Sequence, residues 1–249
     1  VKQLTDEAVN NNQGYETHPE TGMLFAEAPC TDCYELIGNR TENTKTFIKA
    51  GTNGRDIMQQ TSSGPMHYKG PNGEWLTIKS RLQPGSGKGI FAAREQEAPV
   101  EINTIVKYSS LGKPGQSIQF NRNLELVYVK PDGTRQTLGG ADYSHYTAGN
   151  DGVYVTNAWD GVDIEMLVVR GAIKTNFIIN HSLPAYAGGS LLVRDHMQLA
   201  EGLELYVPGD NKLQHTGGME IRKGGALMYA ISAAVAFEKA EGRGSLKML

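Results

Sequence analysis

The sequence predicts an all-β protein, built as one large antiparallel β-sandwich or supersandwich. Short runs of apolar and aromatic residues follow one another along the chain, and turn-forming Pro, Asn, Asp and Gly residues separate them. Of the 249 residues, 30 are Gly, and long stretches with a helical period of 3.6 residues are hard to find. The clearest turn sequences are Pro71-Asn72-Gly73, Pro131-Asp132-Gly133, Asn150-Asp151-Gly152 and Gly209-Asp210-Asn211.

The strand-like runs can be followed from residue 22 to residue 232. Each is short, carries β-branched or aromatic residues and ends at a turn signal. The last stretch, residues 231–249, reads either as a strand or as a short helix. In chain order the remaining runs are GMLFAEA, CYELIG, TKTFIKA, DIMQQT, PMHYK, EWLTIK, GIFAA, VEINTIVKYSS, SIQF, LELVYVK, TRQTL, GVYVTNA, VDIEMLVV, AIKTNFII, GSLLVRDHM, LELYV, MEIRK and ALMYAIS.

The domain organisation follows from the same pattern. Residues 1–20 are polar and aperiodic, and we expect an extended arm or loop there. Residues 21–240 are predicted to form one β-sandwich-like domain, or two packed sub-sandwiches, and residues 241–249 a tail. The chain begins with Val1 and shows no signal-peptide core, so we expect a processed piece of a longer polypeptide.

Several function classes are disfavoured by composition. A net charge of -3 and the lack of a basic stripe argue against a nucleic-acid surface. No run of 18 apolar residues exists in the sequence, so no transmembrane helix is expected. The 6 histidines show neither HxH nor HExxH spacing, and no GxSxG elbow is present. We therefore expect no cofactor, although a zinc site assembled from distant strands remains open.

A hairpin is predicted between Val162 and Ile179, with Arg170-Gly171 as a two-residue turn. The turn sets the register of both strands. One face then becomes almost continuously apolar, whereas the other is mixed and is expected to be partly covered by a second sheet, a domain or a partner chain. The apolar face has the pairs Val168–Ile173, Met166–Thr175, Ile164–Phe177 and Val162–Ile179, and the mixed face Leu167–Lys174, Glu165–Asn176 and Asp163–Ile178.

Two acids of this hairpin are candidate functional residues. Asp163 and Glu165 project from one face, roughly 6–7 Å apart between Cα atoms. That spacing suits paired carboxylates for glycoside hydrolysis or ligands for a hard cation. It is also what any amphipathic strand produces by alternation. Trp159, beside Asp160, is a candidate aromatic contact.

A second hairpin is predicted around the Pro71-Asn72-Gly73 turn, and a third around Pro131-Asp132-Gly133. In the second, Leu76 and Ile78 share one face and are expected in the core. Trp75 falls on the opposite face. It is expected to pack there, with a ligand pocket formed by Trp75 and His67 as the alternative.

The segment GGADYSHYTAGNDG is rich in Asp, Asn, Gly and Tyr. Asp142, Asn150 and Asp151 could ligate Ca²⁺, but turn chemistry accounts for the same residue types. Tyr143 and Tyr146 could contact a carbohydrate or a protein.

The two cysteines, Cys30 and Cys33, leave three readings open. They could form a local disulfide, remain two free thiols, or take part in metal or redox chemistry. No second CxxC or CxxH exists to complete a four-ligand metal site. An oxidising compartment outside the cytoplasm would favour the disulfide.

Two segments resemble a recurring module. Residues 35–82 carry RTENTKTF, PMHYK and NGEWLTI at Arg40–Phe47, Pro65–Lys69 and Asn72–Ile78, and residues 153–180 read VYVTNAWDGVDIEMLVVRGAIKTNFIIN. The first segment resembles the opening module of large secreted bacterial surface proteins of the RHS/YD-repeat type and related multidomain exoproteins. The second resembles the later part of the same modules. The resemblance touches most of residues 35–232. It implies a secreted, β-sandwich-like module of a long exported protein, without catalytic residues to carry over.

We therefore expect a non-enzymatic structural or interaction module of an exported bacterial surface protein, located outside the cytoplasm. Its expected partners are other domains of the parent polypeptide, or another surface protein. One alternative is a carbohydrate-binding or carbohydrate-active β-sandwich, and another is a subunit of a larger secretion or surface assembly. The residues that would contact a ligand are Trp75, Tyr143, Tyr146, Trp159, Asp163 and Glu165.

Overall fold

The computed structural model describes residues 33–49, 52, 56–169, 171–180, 188–209 and 217–235. Within these ranges the chain forms strands and one short 3-10 helix, and the pairs among β1 to β17 and among β19 to β21 are antiparallel. The prediction of an antiparallel all-β fold is therefore confirmed, whereas the packing of the sheets into a sandwich stays a prediction. The arm at residues 1–20, the GMLFAEA run and the tail at residues 241–249 lie outside the described residues.

The described strands are short, and most of them have between three and eight residues. In chain order they are β1 (Cys33–Glu35), β2 (Thr44–Lys49), β3 (Ile57–Thr61), β4 (His67–Lys69), β5 (Trp75–Thr77), β6 (Gln83–Pro84), β7 (Ile90–Ala93), β8 (Val100–Asn103), β9 (Tyr108–Leu111), β10 (Ile118–Phe120), β11 (Glu125–Val129), β12 (Arg135–Gly140), β13 (Tyr146–Ala148), β14 (Gly152–Trp159), β15 (Val162–Val169), β16 (Ala172–Ile179), β17 (Ser190–Arg194), β18 (Gln198–Leu199), β19 (Leu203–Tyr206), β20 (Met219–Lys223) and β21 (Ala226–Ile231).

These strands belong to six sheets, with neighbours in the orders β1-β2-β3, β4-β5, β18-β10-β9-β8-β7-β6, β12-β11-β17, β13-β14-β15-β16 and β19-β20-β21. Most neighbours are consecutive in the chain, so hairpins build most of the fold. The contacts of β11 with β17 and of β10 with β18 are the long-range exceptions. In the described part of the chain, no helix is long and apolar enough to cross a membrane.

The chain divides into two compact units. The larger unit contains the described residues of Val1–Lys113 and Ser117–Gln198. The smaller unit contains Pro114–Gln116 and the described residues from Leu199 onward, which include β19, β20 and β21. In the smaller unit the Tyr229 hydroxyl donates to the carbonyl of Gln116 at 2.7 Å.

The predicted hairpin is β15–β16, and its register is confirmed. All seven predicted cross-strand pairs are present, and Val169 pairs with Ala172 next to the turn. Gly171 has a φ of +65°, the left-handed conformation that a tight turn requires. The alternate residues Val162, Ile164, Met166 and Val168 are all buried. The alternation of the sequence therefore becomes one buried face of β15.

The other two predicted hairpins also form. β4 and β5 pair across Pro71-Asn72-Gly73, and β11 and β12 pair across Pro131-Asp132-Gly133. Ile78 is buried as predicted, whereas Leu76 is only half-buried.

The predicted strand CYELIG is shorter than expected. β1 ends at Glu35, and the chain turns through a 3-10 helix at Ile37–Asn39. The amide of Leu36 still donates to Thr46 at 2.7 Å, but the amide of Arg40 donates back to Ile37. This turn brings the side chain of Arg40 back to Glu35.

Candidate functional site

Asp163, one of the two predicted acids, accepts a hydrogen bond from a β-bulge in the neighbouring strand β14. The register between β14 and β15 shifts between Val155 and Trp159, so β14 carries extra residues there. Asn157 lies in the bulge with a φ of +50°. The Asp163 carboxylate accepts the amide N–H of Asn157 at 2.7 Å and the side-chain amide of Asn180 at 2.8 Å. Both carboxylate oxygens therefore have a donor from this protein.

Glu165, the second acid, is half-buried and has its own partners. Its carboxylate accepts the side-chain amide of Asn176 at 3.1 Å across the β15–β16 pair. On its other side, Glu165 lies opposite Tyr154. Burial, a hydrogen bond to Asp151, and the charges of Asp151 and Glu165 together raise the pKa of Tyr154 to about 12. Asp163 and Glu165 thus share a strand face but bind separate amide groups.

Asp163 is expected to matter for stability. Asp163→Ala leaves the Asn157 amide without its acceptor, so the free energy of unfolding should fall by about 1–3 kcal/mol in chemical denaturation. Asp160→Ala is the control, because Asp160 is exposed in the adjoining turn, and we expect a change within about 0.5 kcal/mol. Equal effects of the two substitutions would contradict the role assigned to Asp163.

Two of the four aromatic candidates, Trp159 and Tyr143, are buried. Trp159 is 8 % exposed, and its indole N–H donates to the carbonyl of Gly139 at 3.0 Å. The ring of Trp159 lies 6.4 Å from that of Phe177. Tyr143 is 2 % exposed; burial, and then the charge of Asp195, raise the pKa of its phenol well above the usual range. Both rings therefore pack within the protein.

The other two aromatic candidates are half-buried. Tyr146 packs edge-to-face against Phe91, with ring centroids 5.9 Å apart. The ammonium of Lys69 lies 3.8 Å from the centre of the Trp75 ring. A cation at this distance is attracted to the ring face. Trp75 and Tyr146 are therefore only partly covered by the rest of the protein.

The three calcium candidates accept hydrogen bonds from other residues of this protein. The carboxylate of Asp142 accepts the amide of Ser144 at 2.9 Å and its hydroxyl at 2.8 Å. The backbone carbonyls of Asn150 and Asp151 accept the amides of Leu82 and Val168. No group of three or more His, Cys, Asp or Glu residues that could hold a metal ion occurs in the ranges that the structure describes.

Cys33 begins β1 and is buried and disulfide-bonded. Cys30 is the only other cysteine of the sequence, and it lies outside the described residues.

A buried polar cluster was not foreseen in the RTENTKTF segment. The guanidinium of Arg40 donates two hydrogen bonds to the carboxylate of Glu35, at 2.7 and 2.9 Å, and a third to the carbonyl of Trp75 at 3.1 Å. The side chains of Arg40 and Glu35 are only 3 % and 1 % exposed. The guanidinium of Arg40 thereby links Glu35 of β1 to Trp75 of β5, and these strands belong to different sheets.

His67 completes this cluster. It is 1 % exposed, and its ring Nδ1 lies 2.6 Å from the carbonyl oxygen of Thr41. Because a carbonyl can only accept, Nδ1 carries the hydrogen. Nε2 is buried and has no hydrogen-bond partner in the described part of the chain. Burial lowers the pKa of His67, and the positive charges of Arg40 and Lys45 lower it further. The hydrogen bond to Thr41 raises the pKa but only partly offsets the effect of burial.

This arrangement predicts a loss of stability in acid. The folded protein keeps His67 neutral, whereas the unfolded chain binds a proton below about pH 6.5. The contribution of neutral His67 to the free energy of unfolding is therefore complete above that pH. It is lost as the pH falls toward the lowered pKa of His67 in the folded state. Chemical denaturation at several pH values should show that the free energy of unfolding decreases less with falling pH in His67→Gln than in the native chain. The exposed His145→Gln control should keep the native slope.

A second unforeseen cluster involves Asp195. Its carboxylate accepts the backbone amides of Asn121 and Arg122, at 2.8 and 2.9 Å. The side chain of Asn121 is buried and donates to Ser109 at 3.0 Å and to Thr175 at 2.9 Å. Asn121 thus links β9 of the six-stranded sheet to β16 of the four-stranded sheet.

His196, next to Asp195, has a different partner, since its Nε2 lies 3.8 Å from the carboxylate of Glu125. The two side chains therefore do not form an acid–base pair, as expected from their adjacency in the sequence.

Sequence reasoning missed these clusters because neither of them follows from a local sequence pattern. Asn121 and Asp195 are 74 positions apart, and no short motif joins them. The Arg40 to Glu35 separation is only five positions, but a 3-10 helix was required to bring the two side chains together.

The most prominent apolar surface of the four-stranded sheet lies on β16. Phe177 is 39 % and Ile179 is 58 % exposed, although their cross-strand neighbours Ile164 and Val162 are buried. We call Phe177 and Ile179 the β16 rim.

No protein-family model, curated protein or solved structure significantly matches this chain.

Proposed function

We propose that this protein is a non-enzymatic structural or interaction module of an exported bacterial cell-surface protein. The observation that carries the proposal is the β16 rim, where large apolar side chains remain exposed beside the buried face of β15. Apolar patches of this kind on a sheet edge are typical of surfaces that bind another polypeptide.

The chemistry of the predicted acids supports the same proposal. Asp163 and Glu165 accept hydrogen bonds from amide groups of this protein, and Asp163 uses both carboxylate oxygens in this way. Each acid thus has a structural role independent of any reaction. The disulfide at Cys33 supports an oxidising location outside the cytoplasm, as does the resemblance to modules of secreted surface proteins.

A photocrosslinking experiment tests the proposal. A photoreactive phenylalanine analogue replaces Ile179 in the full chain, and in a matched variant it replaces Ile57, which is 60 % exposed on β3. The proposal predicts covalent adducts from position 179 at the cell surface of the native source, and few from position 57. Mass spectrometry would identify the partner and would show whether the chain belongs to a longer polypeptide.

Two results would overturn this function. One is the same adduct yield at both positions. The other is turnover of a glycan or peptide substrate by the purified chain that disappears in Asp163→Asn or Glu165→Gln while the fold, followed by circular dichroism, is kept.

Carbohydrate binding is a second candidate, favoured by the two half-buried aromatic residues Trp75 and Tyr146. Glycan-array binding that is lost in Trp75→Ala or Tyr146→Ala would support it. Binding that survives both substitutions, or silence across the array, would count against it.

A further inference from the structure

β16 is the outer strand of the four-stranded sheet, and exposure rises along its inner face. Thr175 is half-buried, Phe177 is 39 % exposed and Ile179 is 58 % exposed. Their neighbours on β15 are buried along the whole strand. The buried face of the sheet therefore continues onto β16, but among the described residues no further strand borders β16 to complete it.

The backbone of β16 is suited to pairing with another strand. It has eight residues in continuous register with β15, without a bulge. It contains no Pro, and Lys174 is its only charged residue. Proteins usually protect such edges with bulges, Pro, several charges or short strands, because the free N–H and C=O groups act as a template for another chain.

We propose that a second copy of this chain pairs with β16, antiparallel and around a twofold axis at Asn176. The inference rests on the proposed interaction function and names its partner. A second copy fits because β16 is complementary to itself.

The register follows from symmetry. A twofold axis perpendicular to the sheet keeps each residue on its own face, so symmetric partners must have the same parity. An axis at Asn176 places Ile179 opposite the partner's Ile173, and Phe177 opposite the partner's Thr175. Aromatic and β-branched residues opposite one another stabilise a strand pair.

The neighbouring registers are less favourable. An axis at Thr175 pairs Phe177 with the partner's Ile173, but it places Ile179, the more exposed of the two rim residues, opposite the partner's Gly171, which has no side chain to cover it. An axis at Phe177 brings Ile173 beyond the end of the partner strand. With the axis at Asn176, Lys174 faces the partner's Ile178, so no cation lies directly opposite another.

Cysteine crosslinking tests the register. In Asn176→Cys the two new thiols would meet at the axis, where paired Cα atoms lie about 4.5–5.5 Å apart. That separation allows a disulfide. In Lys174→Cys the two thiols would be offset by about 13 Å along the strands, which is too far. Under mild oxidation we expect a covalent dimer from the first variant and little from the second.

Sedimentation equilibrium tests the association itself. A strand pair buries much less than a standard interface of about 1,600 Å², so the association should be weak and dependent on concentration. Ile179→Lys places a charge on the β16 rim and should weaken association at least about tenfold, or 1.4 kcal/mol. Ile57→Lys is the matched control, because Ile57 is as exposed and lies on the edge strand of another sheet. It should associate like the native chain.

The outcomes separate the two proposals. A native chain that stays monomeric at every concentration, or equal crosslinking of both cysteine variants, overturns pairing with a second copy. If photocrosslinking at position 179 then still captures a different protein, the interaction function stands with another partner. If it captures nothing, both proposals fail.

Discussion

Arg40→Ala should lower the free energy of unfolding by about 3–5 kcal/mol. The substitution leaves the carboxylate of Glu35, whose side chain is 1 % exposed, as a buried charge without its partner. It also removes the hydrogen bond to the carbonyl of Trp75, which joins β1 to the β4–β5 hairpin. Guanidinium denaturation, followed by tryptophan fluorescence, would measure the loss.

A surface ion pair provides the control. Lys113 lies 2.6 Å from Glu97, but these side chains are 50 % and 63 % exposed. Lys113→Ala should therefore cost at most about 1 kcal/mol. The double substitution Glu35→Leu with Arg40→Met should cost less than Arg40→Ala alone, because it removes both charges and retains apolar volume. If Arg40→Ala lowers the free energy of unfolding no more than Lys113→Ala does, the buried pair of Arg40 and Glu35 does not stabilise the fold as expected.

Ile164→Ala should destabilise the protein by about 2–5 kcal/mol, because it opens a cavity on the fully buried face of β15. The natural comparison is Ile179→Ala, the same change on the neighbouring strand, where the side chain is 58 % exposed. At low protein concentration, where association is negligible, its cost should stay below about 1 kcal/mol. Equilibrium denaturation of the two variants gives the difference directly.

The comparison is also a test of the register. A slip of one residue would turn every side chain of β15 to the other face. Ile164 would then leave the buried face, and the two substitutions would have similar costs. Such a result would contradict the β15–β16 pairing.

The local structure of this protein was predictable because it depends on residues close together in the chain. The Arg170-Gly171 turn and the alternation on both sides of it were sufficient to predict all seven cross-strand pairs of β15–β16. The Pro-Asp-Gly and Pro-Asn-Gly turns correctly predicted that their flanking strands pair as hairpins, and Gly133 and Gly73 have φ values of +82° and +81°. In each case turn chemistry and strand alternation favour the same pairing.

The roles of the acids could not be predicted in this way. Asp163 and Glu165 were correctly expected to share a face, but alternation alone does not distinguish a reactive pair from structural acceptors. That distinction depends on Asn157, which the bulge of β14 brings to Asp163, and on Asn180 beyond the end of β16. A bulge adds residues to one strand and changes the register of the pair, so strict alternation does not reveal it.

The sequence by itself therefore determined the antiparallel hairpins, their turns and the buried face of β15. The tertiary structure decided which polar groups are buried together and which apolar groups remain outside. Arg40 meets Glu35, and Asp195 meets Asn121, only after the chain has folded. The exposure of Phe177 and Ile179 depends in the same way on where the sheet ends. The physical reason is that a turn is decided by interactions between neighbouring residues, whereas burial depends on distant segments that a local pattern does not specify.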